Sequence, residues 1–463
     1  KVRVNESTTP PTVETATWNA EGSEGLFSES ANWNPDTTEM SWAGKYRTVF
    51  AAKGSGAVVD GAYNLVDLTL GAESAGFVFA GGEGASLTLA EGLKMAEKPD
   101  VTVERTFTFN VPVTNSADLT LSIASNDTVV CAAGGSFKAL TIAGKGRMEV
   151  AGETAMDGTT LVSNTVLAVS GTLSGSGNLT LPFIGYGQTA ITSPALELNE
   201  ATLKKTLKLS DISTECKCHI RSSAPVGTTN YIATASDGAS MHTYFERGRT
   251  FVIDSWSMSG KHEFLPIGNA NDGRVTVVLT WASQSVRSSP DGHLTISSGV
   301  DLILGQTSQT NMKSNKLVVN SGGSVTFTTD DAFVESYARG DRQAAFKLTG
   351  GDVYMGGTHQ NCSILNGAAT VHGEMGSEIE MLYGAPARTT SGNDVDPTFT
   401  GNLAEHVSLT MNGLLTNTVN GVSSTDGKIA VKAGTLVLGV KASLKNASEV
   451  KVEGGVLVVN AMD

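Results

Sequence analysis

The sequence predicts an all-β protein: a parallel β-helix (a β-solenoid) with an N-terminal cap and an irregular β insertion in its middle. Three observations carry that reading. Short strand-like triplets recur at near-constant spacing: from Leu119 to Leu140, Leu161 and Leu179 the steps are 21, 21 and 18 residues. The C-terminal end repeats the pattern, with Ile429-Ala430-Val431 and Val450-Lys451-Val452 standing 21 residues apart. Thr435-Leu436-Val437-Leu438 and Val456-Leu457-Val458-Val459 are also 21 apart, and Leu294 and Leu317 are 23 apart. Third, glycine-rich punctuation follows the strands, as at Gly144-Lys145-Gly146, Gly175-Ser176-Gly177 and Glu453-Gly454-Gly455. The 52 Gly of 463 residues amount to about 11% against a usual ~7%.

A period of 21 to 23 residues, filled by strands of three to five, describes one turn of chain with about three strands and three bends. Each turn hydrogen-bonds to the next at ~4.8 Å, and inward Leu, Val and Ile stack into a core no single turn could bury. A leucine-rich repeat has a similar period, but its Leu/Asn signature is absent. A multi-domain β-sandwich also uses short strands; recurrence at both ends of the chain favours the solenoid.

Taken in order, residues 1–60 read as a cap holding Trp18, Trp33 and Trp42, three of the five Trp. Residues 61–181 read as solenoid. Residues 182–290 break the rhythm with Pro182, Pro194, Pro225, Pro266 and Pro290, and read as irregular solenoid turns or an inserted β subdomain. Residues 291–463 return to solenoid. The best short helix candidate is Glu200 to Leu209, and 330–346 and 384–398 are polar loops. Roughly 15 to 19 turns would give a rod of about 70 to 90 Å.

Composition excludes several functions. Lys and Arg number 32 and Asp and Glu 46, a formal charge of -14, and no basic cluster is present to displace counterions from nucleic acid. The same sign disfavours anionic lipid surfaces. No run of 18 apolar residues offers a membrane-spanning helix. Four Cys are too few for a disulfide-dense scaffold. Cys216-Lys217-Cys218-His219 looks like half a metal site, but the second pair that zinc needs is missing, so core thiols or a structural disulfide are the simpler reading for Cys131, Cys216, Cys218 and Cys362.

One stretch carries a family resemblance. Thr17-Trp18-Asn19 is followed by Gly22, Gly25 and Phe27-Ser28, and then by Ala31-Asn32-Trp33-Asn34. It continues through Tyr46-Arg47-Thr48-Val49-Phe50, Val58-Val59-Asp60-Gly61-Ala62-Tyr63 and Leu68-Thr69-Leu70-Gly71 to Leu87-Thr88-Leu89. This resembles the opening of secreted bacterial proteins with autotransporter-associated β-strand repeats, of the kind found in Verrucomicrobia, Planctomycetes and Lentisphaerae. Gly434-Thr435-Leu436-Val437-Leu438-Gly439 and Gly454-Gly455-Val456-Leu457-Val458-Val459-Asn460 look like the repeat itself, and Ala224-Pro225-Val226-Gly227-Thr228-Thr229-Asn230-Tyr231-Ile232 is similar to a connecting segment of such proteins. The resemblance covers about a third of the chain. It implies a right-handed parallel β-helix at the cell surface or in the extracellular matrix, acting as adhesin, matrix or filament component. It implies partners that are further copies, other surface proteins or polysaccharide, and a blunt repeat end is expected to stack end to end into fibres.

Parallel β-helices also carry polysaccharide lyases and glycosidases, so a carbohydrate-active enzyme or carbohydrate-binding module is the alternative. Such a site needs clustered carboxylates for acid/base work. The best cluster is Asp330-Asp331, Glu335, Tyr337, Arg339, Asp341 and Arg342, where Asp330, Asp331 and Asp341 are candidate calcium ligands. Asn393, Asp394 and Asp396 are a second candidate set, and Asn269, Asn271 and Asp272 before Gly273 a third; Asx-rich turns form equally well without an ion. No cofactor other than calcium is expected. Tyr231, Tyr244, Trp256 and Trp281 are the candidate sugar-stacking platform. No pair of the seven His stands at HExxH spacing, and no nucleophile elbow or phosphate loop occurs in a strand-to-helix context.

Overall fold

The computed structural model describes residues 13–22, 24–35, 46–50, 55–71, 76–96, 102–115, 117–162, 165–181, 195–209, 216–237, 241–259, 261–285, 293–310, 316–332, 345–362, 364–382 and 397–460. Among them the chain is all-β, with two single-turn 3₁₀ segments and no α-helix. The Glu200 to Leu209 segment is strand, as Thr202–Leu203 and Thr206–Leu209. The chain divides into two compact units, Lys1–Pro182 with Ile191–Lys205, and Phe183–Ala190 with Thr206–Asp463.

In the first unit, from Arg105 onward, each turn of chain lays one strand on each of three parallel ladders, whereas the earlier strand Ser86–Met95 spans two of them. One ladder runs through Gly56–Val59, Gly76–Gly81, Arg105–Asn110, Asp127–Cys131, Arg147–Val150, Val166–Val169 and Ala195–Leu198. The next contains Val113–Asn115, Gly135–Phe137, Thr154–Met156 and Thr172–Ser174. The third contains Leu119–Ile123, Leu140–Gly144, Thr160–Val162 and Asn178–Leu181. This is the stacking of a β-solenoid. The register refines the spacing: Leu119 pairs Leu140, Leu140 pairs Thr160, and Thr160 pairs Leu179, so the steps are 21, 20 and 19. Thr160, not Leu161, occupies that inward row, where it is buried and donates to the Met156 sulfur at 3.2 Å.

Inward positions form rows that carry the core. Phe77 and Phe79 lie beside Phe107 and Phe109, then Val129 and Cys131, Met148 and Val150, Leu167 and Val169, all buried. The Phe79 and Phe109 rings stack at 4.5 Å between centroids. Charged residues are also buried in the first unit, Arg105 and Asp127 side by side in these rows and Lys205 between Thr202–Leu203 and Thr206–Leu209. Arg105 sits inward ahead of Phe107 and is 1% exposed; its guanidinium donates to Asp127 at 3.0 and 2.6 Å and to the Gly71 and Ala96 carbonyls at 2.8 and 3.0 Å. Lys205 is fully buried, and its ammonium reaches the carbonyls of Met156, Gly158 and Ser176 at 2.5, 2.6 and 2.7 Å.

At the N-terminal side, Trp18, Phe27, Trp33 and Phe50 form one buried aromatic cluster, with Trp18 and Trp33 edge-to-face at 5.0 Å. Glu14–Trp18 pairs in parallel with Tyr46–Phe50 on one edge and antiparallel with Trp33–Asn34 on the other. Trp42 lies outside the described residues.

The second unit is also built of parallel ladders. Its coils from 229 to 310 use long strands, Thr229–Asp237, Thr250–Ser259, Val275–Ser285 and Val300–Thr310, each of which turns a corner without leaving the strand. Pairing skips Asp254, Thr280 and Gly305 at that corner. Inward residues step by three there: Phe251 and Ile253 are buried, then Trp256 and Met258. The stretch expected as irregular turns or an inserted subdomain thus contributes, in its described part, coils paired in continuous parallel register. C-terminal to it, His359–Cys362, Glu378–Met381, Ser408–Met411, Lys428–Val431 and Glu449–Val452 stack as a separate ladder.

Candidate functional site

The polar loop following Ser324–Phe327 begins at Asp330-Asp331, and the coil-to-coil register brings His359, Asn361 and Glu380 to it. These three side chains point outward because Gln360, Cys362, Ile379 and Met381 take the buried positions between them. His359 donates its backbone N–H to Asp330 at 2.8 Å. Its ring lies between two carboxylates, with Nδ1 at 3.2 Å from Asp331 and Nε2 at 3.0 Å from Glu380. Asn361 donates to Asp331 at 2.5 Å, Asn412 donates to Glu380 at 2.8 Å, and Lys432 stands 3.8 Å from Glu380. Asp331 also holds a left-handed backbone, φ 48°, which Asp tolerates better than most side chains.

Burial disfavours a charge on His359, but the hydrogen bond to Glu380 and the fields of Asp331, Glu378 and Glu380 outweigh it and raise the imidazole pKa. A neutral ring could donate from only one nitrogen, whereas both face carboxylates; the imidazolium satisfies both. A base whose pKa rises on folding stabilises the fold fully below its unfolded value and loses that contribution as pH rises through the folded value. The advantage of the wild type over His359→Gln is therefore expected to be complete below pH 6.5, the ordinary His value, and to shrink above it. Paired denaturant titrations from acid to mildly alkaline pH check this, and a pH-independent difference would refute the ion triad.

The bonds to the two aspartates fall on one oxygen each, Oδ1 of Asp330 and Oδ1 of Asp331. Among the described residues no group of three His, Cys, Asp or Glu is arranged to hold a metal ion. Asp341, Asn393, Asp394 and Asp396, with Glu335, Tyr337, Arg339 and Arg342, lie outside the described residues. The turn at Asn269 closes on itself, its side chain accepting the Asn271 N–H at 3.0 Å before Gly273 at φ 90°.

The sugar-platform residues do not converge. Trp256 is fully buried, packed on Phe264 at 5.2 Å and Phe245 at 6.3 Å, because the three-residue step at the strand corner turns it inward. This corrects its assignment to a binding surface. Tyr231 is 50% exposed and lies in the row of Val252 and Val278. Trp281 is half-buried beyond the corner, beside Ser255. Tyr244 belongs to a different ladder, stacked on His219 at 4.8 Å with its hydroxyl pKa raised by burial and by Glu263. The Cys-x-Cys-His element is split likewise: Cys218 and His219 are both buried but lie on opposite faces of the strand, His219 stacked on Tyr244. Cys131 and Cys362 are free buried thiols whose pKa burial pushes up to about 12.

Sequence reading found the Asp330-Asp331 end of the cluster and missed His359 and Glu380. The available signal was a spacing close to one coil: His359 pairs with Glu378, 19 residues on, and Glu380 stands two residues further. No described helix is long and apolar enough to cross a membrane. Compared with known proteins, the chain matches no family model, no curated relative and no solved structure.

Proposed function

We propose that this chain is an extracellular structural or adhesive protein of a bacterial surface or matrix, a right-handed β-helix behind an N-terminal cap. The supporting observation is how its outward polar side chains are used: they bond coil to coil. Arg147 pairs with Glu197 at 2.8 and 2.9 Å. Arg274 grips Asp301, which also accepts from Ser324, and Asp331, His359 and Glu380 bridge successive strands. Surface charge of this kind reinforces a scaffold. Right-handed winding follows from the strong preference of parallel strand crossovers for that hand. The N-terminal resemblance supports export, and the net charge of -14 argues against nucleic acid as a partner.

Incubation of the intact protein with acidic and neutral polysaccharides tests the reading. Binding without new reducing ends or unsaturated products is expected of an adhesive scaffold. Release of oligosaccharides would establish a carbohydrate-active enzyme and overturn it.

A further inference from the structure

One sheet of the second unit carries a row of outward side chains that stays in register from coil to coil. Tyr231 pairs with Val252, and the row continues through Val278, Ile303, Thr326 and Tyr354. These side chains face outward because the residues flanking them along each strand are buried, as Phe251 and Ile253 are beside Val252, and Leu302 and Leu304 beside Ile303. Tyr231 is 50% exposed and Tyr354 40%, with Val252, Val278 and Ile303 partly exposed between them. Tyr354 is held upright at its end of the row by His372, the next residue in register, stacked on it at 4.6 Å. A second outward row, two residues earlier on each strand, holds Thr250, Thr276, Asp301, Ser324 and Asp352. Asp301 is engaged by Arg274 and Asp352 by His372, so the two rows present no cluster of like charge.

We propose that the row from Tyr231 to Tyr354 docks one chain of an extended, uncharged polysaccharide of the straight, β-1,4-linked kind, running along the coils. This rests on the adhesive part of the reading above and names its partner class. Size selects the occupant. From Tyr231 to His372 the strip spans six steps of ~4.8 Å and one side-chain row of about 7 Å, roughly 200 Å². A stable protein interface needs about 800 Å² from each partner, so a second copy or another protein finds too little surface here. One polymer chain is that narrow. The aliphatic floor receives the apolar faces of sugar rings, the tyrosines grip at both ends, and the Thr250 and Thr276 hydroxyls lie alongside for the ring hydroxyls. Each coil repeats the contact one step further on, which suits a backbone that runs straight. Charge selects too: no basic cluster lies in the strip, and the formal charge of -14 repels a polyanion.

Affinity electrophoresis of the intact chain through gels holding hydroxyethyl cellulose, glucomannan or xylan tests this, with dextran and alginate as the α-linked and acidic controls. Retardation by at least one of the first three, and by neither control, is expected. Tyr231→Ala and Tyr354→Ala are each expected to weaken it roughly tenfold. Ile303→Asp, which sets a charge in the floor, is expected to abolish it, with thermal unfolding confirming that all three variants fold. No retardation by any of the three polymers, equal retardation by alginate, or binding that the three variants leave unchanged would each overturn the proposal. So would sedimentation showing a doubled mass that Ile303→Asp returns to 47.9 kDa, since a second copy would then occupy the strip. Each of these leaves the structural reading standing, whereas cleavage of a polymer would remove that reading whatever the strip binds.

Discussion

Replacing Arg105 by Ala is expected to cost about 3–5 kcal/mol, among the largest single losses available in the first unit. The cost follows from what is left behind. Asp127 is 1% exposed and would keep its charge inside the core with its principal donor gone. The carbonyls of Gly71 and Ala96 would lose their guanidinium donors as well. The guanidinium also lies 5.8 Å from the Phe107 ring centre, so packing is lost with the charge. A second variant separates pairing from burial. Arg105→Met with Asp127→Leu removes both charges and fills similar volume, and should recover most of the loss, since a well-packed apolar pair often equals a buried ion pair. Denaturant unfolding monitored on the intact chain measures both. If Arg105→Ala alone unfolds within about 0.5 kcal/mol of wild type, the range of ordinary surface substitutions, the pair is not what holds these coils.

Trp256→Ala is expected to cost about 3–5 kcal/mol, the usual range for emptying a core aromatic site. The ring is fully buried and contacts Phe245, Phe264 and His262, so its removal leaves a cavity that rigid neighbouring ladders cannot close. Tyr231→Ala, at a 50% exposed position, should stay within about 0.5 kcal/mol. The contrast decides between core and binding platform. A Trp256→Ala protein with wild-type stability and weakened sugar binding would reinstate the platform. Because a solenoid's coils contact chiefly their neighbours, hydrogen exchange should show the loss concentrated in the coils on either side of Trp256.

The same Trp shows where sequence reading succeeds and where it stops. Triplets such as Leu119-Thr120-Leu121 and Ile429-Ala430-Val431 alternate cleanly, because their inward residues are two apart within one short strand. Their recurrence is enough to reveal the coils. Between Thr229 and Thr310 the strands bend while remaining paired, and the bend shifts the inward phase by one residue. Period-two counting from Phe251 then places Ser255 inside and Trp256 outside, the reverse of what packing does. Prolines added to the appearance of irregularity, yet Pro266 stands within the strand Lys261–Ile267. The Asp330-Asp331 turn was visible because acidic neighbours are adjacent in sequence. His359 and Glu380 join it only through stacking, which no local window samples. Arg105 was invisible for a related reason: a lone Arg at a strand start gives no sign that Asp127, one coil later, will meet it.

Lys205 has a consequence of its own. Main-chain carbonyls converging from separate corners are the setting in which proteins recruit a potassium or sodium ion. Here the positive charge comes on a four-carbon leash from the same chain. It cannot be diluted away, exchanged for another ion or stripped by a chelator, so this corner carries its own counter-ion at a fixed stoichiometry of one. The joint is expected to stay occupied in fresh water and in brine alike.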